Sequence, residues 1–267
     1  MIKRLNALLL SALMLAAPAV AEPLRSVVSV ELLPGWRKAD GTHQAGLAIT
    51  LAEGWKTYWR APGDGGIPPV LMIESDESVK MAQALWPTPV IFHTGGMRSV
   101  GYDRSLIVPL LVTPNGASTD IDLQGQIQMG VCHDICMPVE VGFSGQLAAF
   151  DRRPDARIAA ALADRPLSAR EARVGAVDCT LRPEKDGVHL TARIEMPTAG
   201  SPEESVVEVP DQEIWVMDPT TTRHGGILTI ETRMEYFGEG PLMLERSALR
   251  FTVLGAARAV DIRGCAG

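Results

Sequence analysis

The sequence predicts an all-β chain built as two antiparallel β-sandwiches joined by a short helical connector. Three observations predict it. Short runs rich in Val, Ile and Leu, several alternating apolar with polar, recur along most of the chain, and Gly, Pro, Asn and Asp punctuate them. No long helical pattern separates these runs, which argues for sandwiches rather than a parallel sheet wrapped in helices. One Ala- and Arg-rich stretch interrupts the pattern, and the strand signals resume beyond it.

The first element, residues 1–21, reads as a secretory signal. Lys3 and Arg4 precede an almost wholly apolar run from Leu5 to Ala17, and Ala19-Val20-Ala21 has the small-x-small form of a cleavage site before Glu22. The run is shorter than the ~20 residues of a spanning helix, so the cleaved chain is expected to be exported and not membrane-spanning. The signal has no organelle-type character, which places the protein in a bacterial periplasm, where disulfides persist. The whole chain carries a net charge of −7 without a basic run, which excludes a general nucleic-acid binder. At 46% hydrophobic it can fill real cores.

Residues 22–150 are the first domain. Strand runs are expected at 25–33, 43–52, 68–75, 105–113, 119–130 and 137–150. Residues 151–173 are the connector, with DARIAAALAD as a short helix between prolines. Residues 174–267 form the second domain, with strand runs at 174–182, 187–196, 204–210, 213–218, 225–234, 247–255 and 257–264.

Four cysteines carry the chemistry. Cys179 falls in the first strand of the second domain and Cys265 in its last residues. A bond between them would close a loop of about 90 residues, for which chain entropy gives roughly 4–5 kcal/mol, and it would keep the terminal strand from fraying. This pair reads as a structural disulfide. Cys132 and Cys136, in GVCHDICMP, are different. A loop this short removes little chain entropy, so a bond there adds little stability. The pair sits between two strand runs, where a partner can reach it.

Three readings of that pair stand side by side: a redox-active dithiol, a local structural disulfide, and a metal site. His133 would favour a thiolate when protonated and Asp134 would oppose it. For metal, Cys132, His133, Cys136 and Met137 are ligand types that Cu(I) accepts, and Met97 and Met129 could add thioethers. Zinc lacks a second ligand pair at suitable spacing. No cofactor is otherwise implied.

Other chemistries find no support. The G-x-S-x-G elbow of hydrolases is absent, because GFSG at 142–145 sits within a strand pattern. His43, His93, His133, His189 and His224 are scattered, and His43, His189 and His224 read as surface or strand residues. Trp55, Tyr58 and Trp59 in GWKTYWRAPG read as core and corner packing, with a sugar- or peptide-stacking surface as the alternative.

GWKTYWRAPGDGGIPP (54–69), WPTPVIFHTGGMRSVGYDRSLIVPL (86–110) and GVCHDICMPVEVGF (130–143) occur in this order. Together they resemble the N-terminal periplasmic domain of the thiol:disulfide interchange protein DsbD and, within that group, the matching region of the copper-tolerance ScsB proteins. The resemblance implies an immunoglobulin-like sandwich. Its Cys132/Cys136 dithiol would take electrons from a membrane electron-transfer protein or thioredoxin-like donor and pass them to oxidised periplasmic proteins, with Cys136 attacking and Cys132 resolving. It further implies a cap loop over the cysteines at 92–102, with Phe92, His93, Met97 and Tyr102 in it. The C-x3-C spacing is shorter than the usual gap in that family. No polytopic segment follows in the sequence, so the membrane partner is expected to be a separate protein. Copper tolerance and a non-catalytic scaffold are the alternative roles.

Overall fold

The computed structural model describes residues 27–74, 78–94, 96–116, 120–240 and 242–266. The signal segment expected at 1–21 lies outside the described residues. Among those described, no helix is long and apolar enough to cross a membrane.

Ten strands form the N-terminal sandwich: β1 (Val28–Arg37), β2 (His43–Leu51), β3 (Lys56–Tyr58), β4 (Val70–Ile73), β5 (Val79–Ala84), β6 (Val90–Thr94), β7 (Met97–Tyr102), β8 (Leu106–Pro114), β9 (Ile121–Cys132) and β10 (Cys136–Leu147). One sheet has the order β1-β2-β8-β5. The other runs β10-β9-β3-β7-β6, with β4 also paired to β9. The alternation read in the sequence becomes real burial. In β9, Ile121, Leu123, Ile127 and Met129 point inward with polar residues between them, as a half-buried strand requires. Strand β1 outruns the expected end at residue 33 because Pro34-Gly35 forms a bulge rather than a stop.

The connector is packed rather than loose. Asp155 caps the helix α1 (Ala156–Ala163) by accepting from the Arg157 N–H. The fully buried Ile158 of this helix lies against Gly46 of β2, where a β-carbon would fall 3.0 Å from Ile158 Cγ1. Thr88 also donates its N–H to the Asp164 carbonyl just past the helix.

Nine strands follow: β11 (Leu167–Ser168), β12 (Val177–Glu184), β13 (Gly187–Glu195), β14 (Glu203–Glu208), β15 (Ile214–Val216), β16 (Thr220–His224), β17 (Ile227–Tyr236), β18 (Arg250–Gly255) and β19 (Ala259–Arg263). They build two further sheets, β11-β19-β18-β14 and β12-β13-β17-β15, with β16 added on β17. Among the described residues, β11 pairs with β19 in parallel, and an isolated parallel bridge joins Asp178 to Ala266. The two sheets close on one apolar core that includes Leu190, Ile194, Ile230, Phe251 and Val253. A disulfide joins Cys179 on β12 to Cys265, which follows β19, with their Cα atoms 5.7 Å apart. It ties one sheet of this sandwich to the end of the other.

The two sandwiches meet across an apolar patch. Trp59, Val100 and Tyr102 from the first pack with Val206, Leu254 and Ala259 from the second. At the far end of the first sandwich, His43 is fully buried and not a surface residue. Its Nδ1 accepts from Arg37 Nε at 3.2 Å, and its Nε2 is 2.6 Å from the Pro34 carbonyl, which fixes the Nε2–H tautomer. Burial holds this imidazole below its ordinary pKa.

Two outcomes are expected. Replacing Cys179 and Cys265 together by Ala should lower stability by about 2–5 kcal/mol, read from urea unfolding with m fitted for each protein, since the uncrosslinked chain unfolds further. His43 is neutral in the fold and easier to protonate in the unfolded chain. Stability should therefore be full above about pH 6.5 and fall as pH drops through the lower folded-state pKa. Urea midpoints at pH 7 and pH 5 should differ in the native protein, and His43→Gln should remove most of that difference.

Candidate functional site: a disulfide at a hairpin tip

The β9–β10 hairpin pairs residue for residue from Leu147↔Ile121 up to Cys136↔Cys132. That register places the two cysteines directly opposite each other, with His133, Asp134 and Ile135 as the turn. They are joined as a disulfide, with a Cα–Cα distance of 4.1 Å. Their exposure differs. Cys132 is 6% exposed, whereas Cys136 is open to solvent. Ile135, at the tip, is 73% exposed.

Register then decides which side chains reach the sulfurs. Lys56 stands opposite Cys132, and Thr57 opposite both Val131 and Tyr102. Successive side chains of a strand point to opposite faces. Lys56, Tyr58, Cys132 and Cys136 therefore share one face, and Thr57, Val131, Tyr102 and Met137 share the other. On β6, Phe92 is opposite Ser99, which puts it and Met97 on the cysteine face.

The centre of that face is Tyr58. Its hydroxyl lies 2.9 Å from Cys132 Sγ and 3.1 Å from Cys136 Sγ, and it donates to the Gly65 carbonyl at 3.1 Å. Burial raises the Tyr58 pKa, so the phenol keeps its proton and is a donor. Two glycines make room for the ring. A β-carbon on Gly130 would fall 2.9 Å from Tyr58 Cδ2, and one on Gly66 would fall 2.8 Å from Tyr58 Cδ1. Phe92 closes the outer side with its ring centroid 6.3 Å from that of Tyr58, and Lys56 Nζ lies 4.8 Å above the Phe92 ring.

The expected cap is a β-hairpin, β6–β7, not a loop. Phe92 lies against Tyr58. Met97 lies against Gly65, where a β-carbon would fall 3.5 Å from Met97 Sδ. His93 is exposed on the opposite face, across from Arg98. Tyr102 does not reach the cysteines. It is buried in the patch between the sandwiches, and its hydroxyl donates to the Pro87 carbonyl. An odd–even difference separates it from the cysteine face.

The Cu(I) set does not converge either. Met137 faces inward and packs on the core of the first sandwich. His133 pairs with Asp134 at 2.9 Å, lies 5.8 Å from Trp55 with the rings tilted by 45°, and abuts Gly54. Among the described residues, no group of three or more His, Cys, Asp and Glu side chains could hold a metal ion. The three neighbouring aromatics go to three places: Trp55 beside His133, Tyr58 beneath the disulfide, and Trp59 fully buried between the sandwiches. Sequence reading missed Tyr58 as a site residue. The small residues Gly66 and Gly130 were its available signal.

The site is thus a half-exposed disulfide at the tip of a β-sandwich hairpin, with a buried phenol hydroxyl against both sulfurs. Residues 29–147 match the family described as thiol:disulfide interchange protein DsbD, N-terminal. The fold likeness extends over both sandwiches. The N-terminal periplasmic domain of ScsB from Proteus mirabilis superposes with a TM-score of 0.65 at 23% identity, covering 90% of this chain and 92% of that one. A marsupial T cell receptor covers 90% of this chain and 97% of its own at 12% identity, but its TM-score of 0.17 carries no likeness of fold. No curated protein matches the sequence.

Tyr58→Phe keeps the ring in its glycine cradle and removes only the hydroxyl. With the pair reduced, the variant should show a thiol pKa higher by about one unit, since a hydrogen bond to the charged thiolate is lost. The pH profile of Cys136 alkylation, read by peptide mass, checks this, and the melting temperature should change little.

Proposed function

We propose that the chain is a periplasmic thiol–disulfide relay working through Cys132 and Cys136. The observation that carries this reading is the asymmetry of the pair: Cys136 open to solvent, Cys132 buried against the Tyr58 hydroxyl. An incoming thiolate from a membrane or thioredoxin-like donor reaches the Cys136 sulfur. The Cys132–Cys136 bond breaks, a mixed disulfide forms at Cys136, and Cys132 leaves as a thiolate within reach of the Tyr58 proton. The donor's second thiol then attacks the mixed disulfide and departs oxidised. The relay now holds two thiols and the two electrons that the donor lost.

The return step runs the same chemistry towards an oxidised periplasmic protein. The Cys136 thiolate attacks its disulfide, and one partner sulfur leaves as a thiol. Cys132 then attacks Cys136 and releases the second partner sulfur, which restores Cys132–Cys136. Cys136 is thus the attacking residue and Cys132 the resolving one. Phe92 and Met97 flank the site, and Ile135 offers an apolar contact at the tip for a docking partner. Cys179–Cys265 takes no part, since Cys179 is buried within the C-terminal core. The copper reading is not carried further, because Met137 packs on the core and His133 is engaged with Asp134 and Trp55.

Two measurements test this. In glutathione buffers the Cys132–Cys136 pair should titrate between roughly −120 and −270 mV, the range of exchange proteins, while Cys179 and Cys265 stay oxidised. A value below about −300 mV marks a structural bond and ends the relay reading. Cys132→Ser, which leaves Cys136 free, should trap a mixed disulfide with a thioredoxin-like protein, and Cys136→Ser should trap little.

A further inference from the structure

We infer that Arg98, through its contacts with the C-terminal sandwich, is a positioning residue for Tyr58 and hence for the reactivity of the cysteine pair. The inference rests on the proposed relay and assigns a task to the second sandwich.

Arg98 lies on β7 next to Met97, but it points to the other face of the sheet. Its side chain is only 11% exposed, and it hydrogen-bonds to three residues of the second sandwich. Nη2 donates to the Ser205 carbonyl at 2.9 Å, Nε meets Glu204 at 3.4 Å, and Nη1 meets Asp218 at 3.4 Å. Asp64, on the turn that precedes Gly65, feels both Asp218 and Arg98 electrostatically. Two carboxylates and a backbone carbonyl thus hold one guanidinium, whose planar fork can bridge partners as an ammonium cannot.

The hairpin that Arg98 anchors touches Tyr58 in two ways. Phe92 lies against the Tyr58 ring, and Met97 packs on Gly65, whose carbonyl accepts from the Tyr58 hydroxyl. The backbone completes the link. Val100 N–H donates to the Pro62 carbonyl and Trp59 N–H to the Val100 carbonyl, so β7 and the 59–66 segment move together. Arg60 strengthens the same junction. It makes two 2.9 Å hydrogen bonds to Glu208 and stacks 3.7 Å from the centre of the Trp59 ring. Removing the Arg98 charge leaves Glu204 and Asp218 without their shared cation, and Asp64 without its attraction to it. The hairpin and the 62–66 turn then shift away from the second sandwich, and Tyr58 loses its fixed place against the sulfurs.

A double-mutant cycle on the whole chain tests the inference. The pair is reduced under conditions that keep Cys179–Cys265 intact, and the alkylation rate of Cys136 at pH 7 is read by peptide mass. Arg98→Gln should slow alkylation about threefold, and Arg98→Lys by less. Glu204→Gln with Asp218→Asn, on the other sandwich, should reproduce the Arg98→Gln effect. In the Tyr58→Phe background, Arg98→Gln should add nothing, because both act through the same hydroxyl. An unchanged rate in Arg98→Gln overturns the inference, and so do effects that simply multiply in the double variant. Failure of the relay itself would show separately, as a native pair whose potential lies outside the exchange range.

Discussion

The two-residue pleat of the β3-β7-β9 layer governs nearly everything at the site. It sorts neighbouring residues onto opposite faces, so Tyr58 goes to the sulfurs while Thr57 and Trp59 go elsewhere. It sends Met97 towards the cysteines and Arg98 towards the second sandwich, although they are adjacent in sequence. A slip of one residue in any of these pairings would exchange the two sets and dissolve the site. The register is held by the buried rows on β9 and by the small residues at 101 and 130. At Gly101 a β-carbon would fall 2.1 Å from the Thr57 carbonyl oxygen. Only glycine lets β3 and β7 approach this closely.

Where burial alternated, the fold was legible. β9, β10, β13 and β17 fall close to their sequence runs because each has one wetter and one drier face, and β2 and β8 do so as nearly continuous buried runs. The missed strands lack that contrast. β3 is three residues long, β5 (VKMAQA) mixes its types, and β16 (TTTRH) has no apolar residue at all. The 92–102 stretch reads as a loop because Gly95 and Gly96 dominate it, yet β6 and β7 pair across it as a hairpin. At the site, the cysteines were legible by spacing, but the partition among their neighbours was not. Met137, Tyr102 and Phe92 look equally available in a linear string. Only the pairing partners decide which of them meets a sulfur. The burial pattern of β9 does hold a trace of the site. Its alternation stops at Gly130, and Gly130, Val131 and Cys132 are all buried, since both faces of the strand are covered there.

The second sandwich is more than an appendage. Its contact with the first includes an aromatic–aliphatic patch, a bidentate Arg60–Glu208 pair and the Arg98 cluster. Both arginines come from segments that carry site residues. The first sandwich could fill its own core without this contact, since two separate apolar clusters lie between its sheets. What the contact adds is a fixed position for the outer strands β6 and β7, which otherwise form the open edge of their sheet. An edge of this kind is ordinarily the most mobile part of a sandwich.

The separation of the two disulfides along the chain has a consequence for biogenesis. In a chain that folds from its N-terminus, Cys132 and Cys136 meet across a hairpin as soon as β9 and β10 pair. Cys179 must wait for Cys265, 86 residues further on, so the C-terminal bond closes on strands that are already assembled.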